Sequence, residues 1–387
     1  MYRLLSKTKR NFVSWVVCIK YLCCNFHHFL KPSLKDAYSD KFLIGNTVNE
    51  IDLSEVNNIP RFIVKKHFNC ITIGNCMKAH VIHPQSDIFN FQEADRYVNF
   101  GEKNNLTITG HALISSLFFP RWIFADENGN EVSKELLIER MRNFITTVIG
   151  RYKGRIQSWE VVHEIFDNSG KFINSKFFRI LGDDYVKYAF NFAREADPNC
   201  ILSYSDYGLS MEAKRNAVIK MVKKLQTQGA KIDTIGIQGH CHLGFPVMEE
   251  LEKSIIAFHE LGCKISITEM DISVLPVYNP KISIEIALNP DYWLSLNPFT
   301  KEIPKKIAHI QYEQYKAMFN IFLKHHDKID RVTFWGMSDK YSSKNDFPIP
   351  GRTDYPLLFD RNYKAKPVVK ELIEMANKNN NQIRFGK

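Results

Sequence analysis

The 387-residue sequence has no uninterrupted apolar run approaching the ~20 residues that a membrane-spanning helix needs. It has no glycine-rich phosphate loop. Gly45 stands alone in the first β-rich run, which excludes a dinucleotide fingerprint. Paired cysteine spacing is also missing. Cys18, Cys23 and Cys24 lie near the start, and Cys70, Cys76, Cys200, Cys241 and Cys263 form an odd set in the body. This excludes a disulfide framework or zinc-finger spacing and leaves buried free thiols as the expectation. Gly (18) and Pro (15) are at ordinary levels, so collagen-like and low-complexity classes drop out. Acidic residues are absent from positions 1–35, where Arg3, Lys7, Lys9, Arg10, Lys20, Lys31 and Lys35 are found. These residues carry most of the formal net charge of +10 and leave about +3 on the rest. A nucleic-acid binder would carry its basic stripe on the folded body, so no nucleic-acid partner is expected.

What remains is a soluble globular composition, 44% hydrophobic and 24% charged, with ample material for a core. The start is basic over 1–10 and apolar over 12–19, like the first two regions of a secretory signal. Lys20 interrupts the apolar run, and no clean cleavage site follows. An export signal, an unstructured arm and a mis-assigned start codon all fit. A secreted or periplasmic location is expected over a cytoplasmic one.

Past residue 36, short β-rich runs alternate with helical patterns. The runs are 42–48, 70–73, 106–114, 158–164, 201–207, 234–240, 264–272 and 331–337. The clearest helix is 133–150, with Ser133 as cap and Leu136, Leu137, Met141, Phe144, Ile145, Val148 and Ile149 on one face. Others are expected over 184–196, 212–228, 247–261, 305–324 and 366–378. Strand-then-helix repeated eight times predicts an α/β fold, a single (β/α)8 barrel. The expected organisation is a leader over 1–33, a barrel over 34–378 and a polar tail over 379–387. The proline-rich connection 274–304, with Tyr278, Tyr292, Trp293 and Phe299, follows the seventh run and is expected to wall a cleft.

In such a barrel the C-terminal ends of the strands face the active site. The fourth run ends Trp159-Glu160-Val161-Val162-His163-Glu164, and the seventh ends Ile267-Thr268-Glu269-Met270-Asp271. The sixth ends Gln238-Gly239-His240, the third carries His111, and the eighth ends Phe334-Trp335-Gly336. Two carboxylates projecting into one barrel mouth suggest acid–base or glycosidic chemistry. His240-Cys241-His242 is the one metal-like triplet, and no metal or other cofactor is expected.

These segments resemble glycoside hydrolase family 10, the endo-β-1,4-xylanase family, from about Ser33 to about Ala376. Trp159–Glu164 matches the motif Trp-Asp-Val-Val-Asn-Glu, and Ile267–Asp271 matches Ile-Thr-Glu-Leu-Asp. Gly110-His111, Pro120-x-Trp122, Gln238-Gly239-His240, Val332–Gly336, Asp339-Lys340-Tyr341, Leu357–Asp360 and Lys366-Pro367 match in order. The resemblance implies a retaining double displacement on xylan or a related β-linked polysaccharide. Glu269 would be the nucleophile and Glu164 the acid/base, with carboxyl groups about 5–5.5 Å apart. It further implies that Gln238 and His240 bond the nucleophile region, and that Asn75, Lys78, His111, His163 and Trp335 contact sugar. A monomer with a polysaccharide as its partner is expected.

The chain also departs from the family. Gly74 and Ala79 replace a carboxylate and an aromatic, Ser115-Ser116 replaces Trp-His, Ser343 replaces a platform Trp, and His163 replaces Asn. Lost sugar contacts predict a widened glycone pocket. They keep a non-catalytic carbohydrate-binding barrel open beside the active glycanase, and more remotely a structural protein without sugar affinity.

Overall fold

The computed structural model describes residues 32–53, 58–115, 118–278 and 290–385. Ten strands follow in chain order: β1 Leu43–Val48, β2 Cys70–Ile73, β3 Thr107–Gly110, β4 Ile114–Ser115, β5 Ser158–His163, β6 Ile201–Asp206, β7 Thr234–Ile237, β8 His240–His242, β9 Lys264–Ser273 and β10 Ile329–Phe334. The order β10-β1-β2-β3-β5-β6-β7-β9, with β9 pairing β10, closes eight parallel strands into a barrel. The short β4 and β8 are parallel extensions beside β5 and β9. The (β/α)8 expectation holds. Two of the expected runs are interrupted: 106–114 breaks after Gly110, and 234–240 breaks after Ile237 and resumes at His240.

Interior and exterior separate by pairing geometry. Arg331 on β10 donates to Ser158 Oγ on β5 at 2.8 Å and to Thr109 Oγ1 on β3. Neither strand neighbours β10, so these side chains meet only through the lumen. Small polar residues fill it, with Ser205 Oγ 3.0 Å from Thr268 Oγ1. The outward faces take the helices. Lys134–Arg151 buries Leu137, Met141, Phe144, Ile145, Val148 and Ile149, each contributing about 1.5–3 kcal/mol. Ser133 caps it by accepting from the Leu136 amide. Lys305–Lys324 matches its expected bounds, and the last helix runs Pro367–Phe385, beyond the expected 378 because its Asn-rich end holds neither Gly nor Pro. Among the described residues, two longer helices stand outside the expected set, Asn58–His67 and Gln92–Lys103, together with the short Leu34–Ala37, Ala79–Ile82, Lys176–Leu181 and Pro290–Leu296.

Two irregularities aim the site. The β5–β6 register shifts between Glu160 and Val162, and the β10–β9 register shifts between Val332 and Phe334. Such bulges redirect the following side chains, here His163, Glu164 and Trp335. One close approach sets the β3–β5 seam. A Cβ on Gly110 would lie 2.2 Å from Trp159 Cε3 and Cζ3, and Trp159 is a buried indole. Gly110→Ala is therefore expected to cost about 3 kcal/mol through overpacking, read as a lowered denaturant midpoint with an unchanged slope.

The body cysteines are free thiols, four of them buried and Cys76 half-buried, as expected. Cys18, Cys23 and Cys24 lie outside the described residues, as does the leader. Among the described residues no helix is long and apolar enough to cross a membrane.

Candidate active site

β5 delivers Glu160, His163 and Glu164, and β9 delivers Glu269 and Asp271, to one end of the barrel. Glu164 follows the last residue of β5 at φ 54°, a left-handed backbone unusual outside glycine. Its amide donates to the Ser205 carbonyl at 3.0 Å. The next two amides, of Ile165 and Phe166, donate to Asp206 Oδ2 at 3.2 Å each. Asp206 in turn pairs with the fully buried Lys214 at 2.7 Å and accepts from Tyr204 Oη at 2.6 Å. This buried cluster holds the turn that presents Glu164.

The two expected catalytic carboxylates lie in different surroundings. The Glu164 side chain is 29% exposed and that of Glu269 4%. Glu269 Oε2 is 3.1 Å from His240 Nε2, whose Nδ1 is 2.8 Å from Asp271 Oδ2. Glu269 Oε1 is buried without a hydrogen-bond partner. Gln238 was expected beside the nucleophile with His240. Its side-chain amide instead donates to Glu164 Oε1 at 3.0 Å, and its backbone carbonyl accepts from the Glu269 amide at 2.7 Å. His163 stands between the two carboxylates. Its Nε2 is 3.4 Å from Glu164 Oε1, and its Nδ1 is 3.4 Å from Glu160 Oε2 and 3.9 Å from Glu269 Oε1.

Burial opposes charge on these groups, and their neighbours outweigh it. For Glu164, burial pushes the carboxyl up, but the His163 contact and the Gln238 amide bring it below the ordinary range. Glu160 is likewise lowered against its burial by His111 and His163. His163 is raised well above the usual imidazole value, against burial, by Glu160, Glu164 and Glu269. His240 is raised against burial chiefly by Asp271, with Lys344 opposing. Burial lowers Lys78, against the pull of Glu269, Glu164 and Glu160.

The remaining expected residues divide. His111 is 1% exposed, with Nδ1 2.7 Å from Glu160 Oε2, and its ring meets those of His163 and Trp335 edge-on. It forms the floor of the site. Trp335 is half-buried over His111 and His240. Asn75 is exposed in the turn after β2, beside Lys78. Ala79 is buried in the core cluster. Ser115 is buried, Ser343 is exposed, and Ser116 lies outside the described residues. In the connection 274–304, Tyr278, Tyr292 and Trp293 pack against Leu296 and Ile349 in a satellite cluster, which occupies part of their ring surface; 279–289 lies outside the described residues. His242 stacks on Phe245 and faces the Leu243 carbonyl, so the His240–His242 pair makes no metal site.

Donor atoms of His111, Glu160, His163 and Glu269 all lie within 4.8 Å of one another, close enough to hold a cation. The His111–Glu160 hydrogen bond already uses two of them, and the set fits an acid–base network. Sequence reasoning quoted Glu160 and Asp271 inside motifs without a role. The signal available for Asp271 was its place two residues after Glu269 on one strand, which puts both on the same face. Phe118 was missed altogether. It is exposed, at φ 68°, with the Lys78 ammonium 4.0 Å from its ring centroid.

Comparison with known proteins agrees with this geometry. An endo-1,4-beta-xylanase A of Xylanibacter ruminicola is 41% identical over 349 residues, covering 89% of this chain and 94% of that relative. A beta-1,4-xylanase of Dictyoglomus thermophilum is 36% identical, covering 89% and 91%. A solved family 10 endoxylanase from a sugarcane soil metagenome superposes with TM-score 0.83 at 38% identity, covering 89% of this chain and 100% of that one. The model of glycosyl hydrolase family 10 matches residues 33–375, and with that match and these relatives the chain belongs to glycosyl hydrolase family 10.

Proposed function

We propose that this protein is a retaining endo-1,4-β-xylanase in which Glu269 is the nucleophile and Glu164 the acid/base. The observation that carries the reading is the unequal pair at one barrel mouth. Glu269 is buried with a free oxygen, and its other oxygen is oriented by His240 and Asp271; Glu164 is open to the cleft. A nucleophile must touch the anomeric carbon with no water between, which suits the enclosed carboxylate. The acid/base must reach both a leaving oxygen and an incoming water, which suits the open one.

In the first step the Glu269 carboxylate bonds to the anomeric carbon while Glu164 protonates the departing glycosidic oxygen. In the second, Glu164 takes a proton from water as that water displaces Glu269. Trp335 and Lys78 would bind sugar beside the cut, and Asn75 further along the glycone side. The acting form is proposed to be a monomer exported by its basic-then-apolar leader. Among the described residues no feature favours a sugar-binding barrel without turnover.

The test is a panel of β-1,4- and β-1,3-linked glycans with reducing-end detection. Xylan is expected to be cut internally with retention of anomeric configuration. Ser115 and Ser343, small where the family motif is large, predict lower kcat/KM on linear xylohexaose than on substituted xylan fragments. Transition-state contacts to the hydroxyls are missing, while a substituent can bury apolar area worth ~25 cal/mol per Å². Faster cleavage of the linear chain would sink the widened-pocket part of this reading.

A further inference from the structure

We propose that the proton delivered to the leaving group is held between turnovers on His163, so that His163 and Glu164 act as a pair sharing one proton. This rests on the reading of Glu164 as the acid/base. The family motif has Asn here, a group that holds no exchangeable charge, where this chain has His163.

The placement of carboxylates around the His163 ring points to the shared proton. Both ring nitrogens of His163 lie near carboxylate oxygens: Nδ1, buried without a hydrogen-bond partner, is 3.4 Å from Glu160 and 3.9 Å from Glu269, and Nε2 is 3.4 Å from Glu164. A neutral imidazole donates from only one nitrogen and would point a lone pair at a carboxylate with the other. The competing neutral tautomer would accept at Nε2 from the second N–H of the Gln238 amide, 3.4 Å away, while the first donates to Glu164 at 3.0 Å, but it would still set the Nε2 lone pair 3.4 Å from Glu164 Oε1. His163 is 7% exposed, so water contributes little to satisfying either nitrogen. The other charges facing this group are few. His111 meets the ring edge-on at 4.7 Å and is bonded to Glu160, and Arg331 lies 4.0 Å from Glu160 Oε1. His240 is on the far oxygen of Glu269, and Lys78 interacts with the same carboxylates. The carboxylates closest to the ring outnumber the cations beside it, and they favour the imidazolium.

The proton balance closes. At rest His163 is an imidazolium and Glu164 a carboxylate. As the glycosidic C–O bond breaks and the Glu269–carbon bond forms, the proton passes from His163 Nε2 to Glu164 and on to the departing oxygen, leaving His163 neutral. When water displaces Glu269, its proton goes to Glu164 and back to His163. The alkaline limb of the rate profile then reports loss of the pair's proton, not the titration of Glu164 alone.

The experiment combines ¹⁵N-histidine NMR of the full chain with pH profiles of kcat/KM on xylohexaose. At neutral pH one imidazolium signal is expected that disappears in His163→Asn and titrates at lower pH in Glu164→Gln. The alkaline limb of the unmodified chain is expected about one pH unit or more above that of His163→Asn, with His163→Gln as the second variant should the first fail to fold. A neutral His163 at pH 7, or coincident alkaline limbs, overturns the proposal. A chain that cuts no xylohexaose overturns the xylanase reading instead, and the NMR titration still decides where the proton sits.

Discussion

Glu269→Ala is expected to lower kcat/KM on xylan fragments by about 10⁴-fold or more, with the melting temperature within a few degrees of the unmodified chain. The loss is large because no other group in the described site is placed to form the covalent intermediate: Asp271 is committed to His240, and Glu160 to His111 and His163. The structural cost is small. The Glu269 side chain makes one hydrogen bond, to His240 Nε2, and its other oxygen has no hydrogen-bond partner, with His163 Nδ1 3.9 Å away. His240 keeps Asp271 on Nδ1, so the lost hydrogen bond is worth about 1 kcal/mol and is offset by relief among crowded carboxylates. Azide is small enough to enter the vacated space. It is expected to restore turnover and to yield a glycosyl azide of inverted configuration, since it attacks from the face the nucleophile occupied. Full residual activity in the purified variant would refute the assignment.

The barrel was legible because its signals are local. β-rich runs bounded by polar turns marked all eight strands, and apolar spacing with a Ser133 cap marked Lys134–Arg151. Where the signal was fainter, elements went unread. In Gln92–Lys103 the buried positions Ala94, Tyr97, Val98 and Gly101 do keep helical spacing, but two of the four are among the smallest residues. In Asn58–His67 a proline in the first turn looks like a breaker, although it needs no amide donor there. The site divides along the same line. Strand-end positions told where Glu164 and Glu269 would project. Sequence could not tell that Gln238 would turn to Glu164 and leave His240 alone on Glu269, because that depends on side-chain torsions across two strands. Nor could it tell the burial of Ala79. That position is buried in the short helix Ala79–Ile82, which depends on how the turn after β2 packs on the core.

The support beneath Glu164 gives the second large effect. Asp206→Ala is expected to destabilise the fold by about 3–5 kcal/mol, because Lys214, 0% exposed, keeps a buried charge without its partner. The Ile165 and Phe166 amides and the Tyr204 hydroxyl lose their acceptor at the same time. The melting temperature is expected to fall on the order of 10 °C. Lys214→Met in the same chain should recover part of the loss, since it removes the stranded charge while keeping most of the apolar stem, although the ammonium that lies 3.4 Å over the Tyr207 ring centroid goes with it. Activity should not recover with it. The turn after β5 holds Glu164 at φ 54°, and the Asp206 carboxylate that fastens that turn is missing in either background. Both variants are therefore expected to show kcat reduced about tenfold with KM little changed, since what is lost is the aim of the acid/base and not sugar binding. A double variant with full stability and full kcat would show that the buried pair only fills space. A single variant melting within about a degree of the unmodified chain would show that Lys214 sheds its proton at little cost when Asp206 is removed.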